Sequence, residues 1–318
     1  MSYLVTGGAG FVGSHLVDTL LARGEQVICV DNFNDYYDPA YKRRNITAAL
    51  AHPGYHLVEA DIRDSAVMEH LFATYRPRRV AHLAAMAGVR ASVARPLLYE
   101  SVNIGGSVAL LELARRYEVE ALVMASTSSV YGAVNEVPFV ETARTDQPLS
   151  PYAATKKAVE ILAYTFHQLY GIPTTIARFF TVYGPRGRPD MTPYVFIDTM
   201  IRGKPITLFN GGRDLYRDYT YVSDTVAGVV AALERALPFE IINLGNANPV
   251  QLCDFVALLE RISGYPAQIE SKPLPATEPP ITFASTSKAA QLLGYAPAIN
   301  VEVGLTYFWE WYRREVAQ

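Results

Sequence analysis

Strand-like and helix-like hydrophobic periods alternate through the first half of the chain. Tyr3 to Thr6 is a short apolar run, followed by Phe11 to Ala22, where Val12, Leu16, Leu20 and Leu21 recur at helical spacing. Short runs from Gln26 to Val30, His56 to Glu59, Arg79 to Leu83, Ala121 to Ser126 and Thr174 to Phe179 predict five more strands. Helical patterns lie between them, at Ala66 to Tyr75, Ser101 to Tyr117 and in a long segment that starts near Tyr152. Strand alternating with helix predicts an α/β fold: a doubly wound parallel sheet of Rossmann type with helices on both faces.

After Thr181 the pattern changes. Prolines and glycines cluster in Tyr183-Gly184-Pro185-Arg186-Gly187-Arg188-Pro189, and a proline-rich stretch runs from Pro273 to Pro280. The expected division is a dinucleotide-binding domain over residues 1–181, rejoined by about 221–245, and a smaller C-terminal α/β substrate lobe over residues 182–318. That lobe is expected to cover the carboxyl ends of the strands, where ligands sit in such sheets. The closing segment, Val301 to Arg314, has helical spacing.

Composition narrows the partners. Half of the 318 residues are hydrophobic and the formal net charge is −3, which gives no electrostatic reason to expect nucleic acid or an anionic membrane. No apolar stretch reaches the ~20 residues of a membrane span; the one from Val226 to Leu237 is interrupted by Glu234 and Arg235. The first apolar run feeds a glycine loop rather than reading as a signal peptide. Cys29 and Cys253 lie far apart and are expected to be free thiols, as suits a reducing cytoplasm. His52 and His56 are separated by Pro53 and Gly54, which forbid a shared helical face, so no metal site is expected.

The candidate chemistry has two ends. Gly7, Gly10 and Gly13 form a GxxGxxG pattern directly after a strand, opening a helix. Glycine lets the backbone approach a pyrophosphate, and the helix start, with Phe11 and Val12 in its first turn, offers N–H groups and partial positive charge. Asp31 ends the second strand, before Asn32. It can accept hydrogen bonds from both adenosine ribose hydroxyls and would repel a 2′-phosphate, which favours NAD over NADP. Asp61-Ile62 is placed to flank the adenine, Ala84-Ala85 leaves room for the cofactor, and Asn103 joins this set from the next helical segment. At the other end, Tyr152 and Lys156 are four apart and share a helical face. A tyrosine of ordinary pKa ~10 is too weak a base near neutrality. The Lys156 ammonium and the positive nicotinamide ring are expected to lower it. Ser126-Thr127-Ser128-Ser129 ends the fifth strand and Phe179 the sixth, on the same rim; a hydroxyl there can hold the oxygen that Tyr152 deprotonates.

The segments TGGAGFVG, Tyr152-x-x-x-Lys156, RFFTVYGPRGRP and RDYTYVSD together resemble the extended short-chain dehydrogenases/reductases that act on nucleotide sugars, over essentially the full length. The resemblance implies a catalytic Thr127, Tyr152 and Lys156, and NAD contacts at Gly7, Gly10, Gly13, Asp31, Asp61, Ile62 and Lys156. It further implies a UDP-sugar substrate and a homodimer through the helices near Ser101 to Tyr117 and Tyr152 to Tyr170. Dehydratases of the family carry Asp-Glu where Ser128-Ser129 stand, and its decarboxylases keep a Glu at the second place. With neither carboxylate, this chain can oxidise C4 and return the hydride but lacks an acid for elimination.

The loop from Asp31 to Asp38 and the segment from Arg178 to Met191 are most similar to the branch that inverts C4 of UDP-glucuronate. There Thr127, Ser128, Ser129 and Thr181 are expected to hold the sugar carboxylate, Arg188 the diphosphate or carboxylate, and Arg217 the diphosphate. Arg186 is left undecided, and Glu278 is aligned with a uridine-ribose ligand, although the usual Gly-Asp reads Thr277-Glu278 here. A hexose 4-epimerase and a non-catalytic NAD-binding protein are the competing readings.

Overall fold

The computed structural model describes residues 1–132, 136–274 and 280–317. Six strands, β1 (Ser2–Thr6), β2 (Gln26–Asp31), β3 (Tyr55–Glu59), β4 (Arg79–His82), β5 (Ala121–Thr127) and β6 (Thr174–Phe179), join a seventh, Phe239–Leu244. Their order across the sheet is β3-β2-β1-β4-β5-β6-Phe239–Leu244, and every pair is parallel. The sheet winds outward in both directions from between β1 and β4, which opens a crevice at the carboxyl ends of the strands.

The inner strands β1, β2, β4, β5 and β6 are buried on both faces, as parallel strands are, while the edge strand β3 is partly exposed. Tyr3, Val5 and Val123 pack to one side, with Leu16, Leu20 and Val229 of the helices α1 (Phe11–Ala22) and Val222–Arg235. Their neighbours Leu4, Leu122 and Met124 pack to the other, with Phe72, Leu110 and Val159 from the helices Ser65–Tyr75, Gly106–Arg116 and Pro151–Tyr170. This alternation is the period of two of a pleated strand.

The helix expected from Ser101 to Tyr117 is not regular. It opens with a π-helical turn, Glu100–Gly105, and becomes α-helical only at Gly106. Two constraints meet there. Asn103 is committed to bonds with the loop after β4, and a Cβ on Gly106 would come within 2.5 Å of Ile62 Cδ1.

The second lobe is built of short strands. Thr181–Tyr183 and Ile281–Thr282 run parallel to Tyr216–Tyr221, and Pro249–Gln251 runs antiparallel to it. Pro205–Phe209 pairs with Gln268–Lys272. The terminal helix Val301–Glu315 is capped by Asn300, whose side chain accepts from the Val303 N–H.

Candidate active site

The chain leaves β1 and turns at Gly7, where φ is +71° and the N–H donates to the Val30 carbonyl at 2.7 Å. A Cβ at Gly7 would lie 2.8 Å from the Ala84 nitrogen, and one at Gly13 only 2.1 Å from the Gly7 carbonyl oxygen. The two glycines thus let α1 settle directly onto the loop. Gly10 is different: a Cβ there would meet nothing within 4 Å except Gly7 O, and it would occupy the cleft that Gly10, Phe11 and Val12 line. Gly10 caps α1 without a side chain, so the first-turn N–H groups are left for a ligand. A cradle that a methyl group would fill, at the positive end of a helix, fits the pyrophosphate of a dinucleotide.

At the adenosine end Asp31 lines the cleft and is already engaged by the protein. Its Oδ1 accepts from Phe33 N–H at 2.9 Å and from Lys42 Nζ at 3.0 Å, and its Oδ2 accepts from Ala9 N–H at 3.3 Å. Three of its roughly four acceptor positions are therefore engaged by the protein itself. Lys42, which also lines the cleft, was not singled out from the sequence. Asn32 donates to Asp61 Oδ2 at 2.8 Å, and Arg63 grips the same carboxylate through Nε and its backbone N–H. Those Arg63 hydrogen bonds hold the Asp61 carboxyl down at about 2. Ile62, Ala84 and Ala85 line the same cleft.

Asn103 does not line the cleft. Its amide accepts from Met86 N–H at 2.8 Å and donates to Met86 O and to Thr155 Oγ1, each at 3.0 Å. Thr155 in turn donates to the Tyr152 carbonyl. Ser107 donates to the Asn103 carbonyl, so its oxygen receives the Nε2–H of His82 at 2.9 Å. His82 Nδ1 then accepts from Thr6 Oγ1 at 2.7 Å. Burial, with Lys156 nearby, lowers His82 to about 3 and keeps this chain neutral. Asn103 therefore braces the catalytic helix.

That helix, Pro151–Tyr170, begins with Ser150 accepting from Ala153 N–H at 3.2 Å and has proline in its first turn. It ends at Gly171, with φ +71°. Tyr152, Lys156 and Glu160 recur at intervals of four on one face. Lys156 donates to the Ala125 carbonyl at 2.8 Å, and burial lowers it to about 8 against the pull of Glu160. Glu160, also unforeseen, takes two bonds from Arg178, Nε at 2.9 Å and Nη2 at 2.8 Å, and one from Ser126 Oγ at 2.6 Å. Burial alone would raise its carboxyl; Arg178 more than offsets this and leaves it below the usual range. Ser126 is thereby a tie between strand and helix as well as part of the cleft wall.

Tyr152 lies under opposing influences. Burial raises its phenol above the ordinary value, and the cation that pulls it back is Arg188, helped by a hydrogen bond with Thr127. Lys156 aims at the backbone instead. Arg188 lines the cleft with Tyr152 and Phe179. It is held by Asp190 through Nε–Oδ1 and Nη2–Oδ2 contacts of 2.9 Å each. Tyr36, on the loop after β2, donates to Asp190 Oδ2 at 3.1 Å. Burial works against the Arg188 charge, but Asp190 keeps the guanidinium protonated beyond its usual range.

The hydroxyl residues lie on two adjacent strand ends. Thr127 pairs in register with Phe179, its oxygen accepts from Ser129 N–H at 3.1 Å, and Ser128 and Ser129 form the short turn that follows. Thr181 opens the next strand beyond Phe180. Arg217 is seated in the second lobe, donating to the carbonyls of Tyr216 and Pro280. Neither it nor the Thr127-Ser128-Ser129 and Thr181 group lines the dinucleotide cleft. Glu278 lies outside the described residues. Among the described residues no cluster of His, Cys, Asp and Glu could hold a metal ion, and no helix is long and apolar enough to cross a membrane. Cys29 and Cys253 are free thiols.

Known proteins place this geometry. Residues 3–245 match the model of the NAD dependent epimerase/dehydratase family. The chain is 44% identical to UDP-glucuronate 4-epimerase 3 of Arabidopsis thaliana, over 98% of its own length and 76% of the relative's. It is 42% identical to a UDP-glucuronate 4-epimerase of Thermodesulfobacterium geofontis, over 99% of this chain and 97% of the other. The crystal structure of UDP-glucuronic acid 4-epimerase from Bacillus cereus, in complex with UDP-glucuronic acid and NAD, superimposes with a TM-score of 0.92 at 36% identity, covering 99% of each chain.

Proposed function

We propose, on the premise that this chain belongs to the NAD dependent epimerase/dehydratase family, that it is an NAD-dependent 4-epimerase of UDP-sugars and that its sugar is glucuronate. One observation carries the reading. A pyrophosphate cradle, the Tyr152–Lys156 pair and the Arg188 guanidinium meet in a single cleft, while positions 128 and 129 hold hydroxyls rather than the carboxylates an elimination needs.

NAD would be held by the loop from Gly7 to Gly13, by Asp31 and Lys42, by Asp61 and Ile62, and by Lys156. When bound it supplies a hydride acceptor at C4 and then a donor, so none is consumed. Tyr152 takes the C4 hydroxyl proton and returns it, and Thr127 holds the oxygen between the two events. Oxidation at C4 places a ketone β to the uronate carboxylate, an arrangement prone to losing CO₂. Ser128, Ser129 and Thr181 are assigned to restrain that carboxylate. Arg188 is assigned to it too, because its guanidinium stands beside Tyr152. Arg217 and Glu278 are assigned to the UDP portion, which the second lobe would hold.

A homodimer in the cytoplasm completes the proposal. The helices Val89–Ala94 and Pro96–Tyr99 pack beside Pro151–Tyr170, and Val93, Leu97, Ile161 and Tyr164 stay exposed on them, an apolar surface suited to a second copy.

The test is incubation with UDP-glucuronate and no added reductant, followed by separation of the two uronate epimers and any pentose nucleotide, with UDP-glucose run in parallel. Epimerisation of the uronate that disappears in Tyr152→Phe, with NAD still retained, is the expected result. Turnover of UDP-glucose but not UDP-glucuronate would overturn the substrate assignment. A Tyr152→Phe protein as active as the parent would overturn the enzyme reading.

A further inference from the structure

Arg186 has no place in the chemistry above, yet its backbone near the site is left-handed. Its φ is +62°, a region that non-glycine residues enter only when something holds them there. What holds it lies on α1. Arg186 Nη1 donates to Asp18 Oδ2 at 2.7 Å. One residue earlier, the Pro185 carbonyl meets His15 Nε2 at 2.9 Å. Burial lowers His15 to about 4, so the ring is neutral near pH 7. Facing a carbonyl, its Nε2 carries the hydrogen and donates it.

Phe11, His15 and Asp18 are spaced four and three apart, along one face of α1. The first of them lines the cofactor cleft. The other two grip the loop two and three residues before Arg188. Within the loop Gly187 N–H bonds Gly184 O and Met191 N–H bonds Arg188 O, each at 3.1 Å, and from outside Tyr36 adds its bond to Asp190.

We propose that His15 and Asp18 are positioning residues for Arg188: the helix that receives the pyrophosphate also sets where the sugar-facing guanidinium stands. The proposal deepens, and rests on, the assignment of Arg188 to the uronate carboxylate. The Asp18–Arg186 pair is partly exposed, 38% and 23% at the side chains, and such pairs add little to stability. Its effect therefore falls on placement rather than on folding. If Arg188 drifts, the 4-keto uronate is less restrained. Its C5–C6 bond then breaks, the electron pair passes into the C4 carbonyl as an enolate, CO₂ leaves, and C5 takes a proton.

The test uses the NAD-loaded enzyme with UDP-glucuronate, comparing Asp18→Asn, His15→Ala and His15→Gln. Bound NAD per protomer, kcat, KM, the ratio of pentose nucleotide to epimer, and amide hydrogen exchange over residues 184–190 are measured. Asp18→Asn and His15→Ala should keep NAD, lose roughly 10- to 100-fold in epimerisation, release a larger share of pentose nucleotide and exchange faster over that loop. His15→Gln, whose amide can still donate to the Pro185 carbonyl, should recover most of the rate and the product ratio. Parental rates and ratios in Asp18→Asn and His15→Ala would overturn the proposal, as would loss of NAD in step with loss of rate. If the parent does not convert UDP-glucuronate, the substrate reading has failed instead. The exchange data then decide alone: faster exchange in Asp18→Asn and His15→Ala supports the positioning role, and unchanged exchange ends it.

Discussion

The Arg188 guanidinium supplies the positive charge that acts on the Tyr152 phenol, against a burial effect that raises it. The two side chains come from different elements: Tyr152 from the first turn of the helix Pro151–Tyr170, and Arg188 from the loop clamped by Asp190. Removing the cation leaves only the Thr127 hydrogen bond against burial, so the phenol's pKa must rise. In Arg188→Met the limb of the kcat against pH profile that reports the phenolate should therefore move to higher pH. A limb that stays in place, or moves lower, would show that this charge is not felt at Tyr152.

Ser128 and Ser129 are assigned as carboxylate restraints, so their loss should alter the fate of the intermediate more than its formation. Ser128→Ala and Ser129→Ala should each release more pentose nucleotide per epimer formed, while the rate of C4 oxidation changes by less than about ten-fold. The check is chromatography of the nucleotide products after a single turnover. Unchanged pentose release with intact epimerisation removes the assignment.

Glu160 concerns stability. It satisfies the fully buried Arg178, and Ser126 donates to it as well. Replacement by alanine would strand a buried guanidinium, at a cost of about 3–5 kcal/mol, measurable by denaturant unfolding. The pH dependence follows from its lowered carboxyl. This contribution is present above the unfolded-state value of ~4.3 and is lost as pH falls through the lower folded-state value. Acid unfolding of the parent should therefore be steeper than that of Glu160→Gln.

Gly13 is a test of packing. A Cβ there would sit 2.1 Å from the Gly7 carbonyl oxygen, and backbone cannot yield as a flexible side chain does. Gly13→Ala should destabilise the fold by about 1–3 kcal/mol and weaken NAD binding, as read by thermal unfolding and cofactor titration. Gly24→Ala offers a contrast, since nothing lies within 4 Å of its Cβ position and only its φ of +78° would be strained.

The large sheet was legible because its inner strands are buried on both faces and stand as short, largely apolar or β-branched runs. The runs read for β1 to β6 end within one residue of the strands observed. The second lobe was not legible in the same way. Strands as short as Thr181–Tyr183 and Ile281–Thr282 carry too few residues for a period and are held by partners remote in the chain. Tyr152 and Lys156 declared themselves by spacing, since a helix converts an interval of four into a shared face. Lys42 could not. It stands in Lys42-Arg43-Arg44, three cations of which the fold buries one, and only the position of Asp31 says which. The contact Lys156 makes is illegible for the same reason. Sequence distance puts the ammonium nearby, but the direction in which it points, toward the Ala125 carbonyl, is a property of the folded chain.

The helix that carries Tyr152 is stapled along its length. Thr155 is tied to Asn103, Lys156 to β5 and Glu160 to both Ser126 and Arg178. A base mounted so firmly cannot swing to follow a turning substrate. On the proposed reaction, inverting the carbon then falls to the guest, which must turn within a frame that stays where it is.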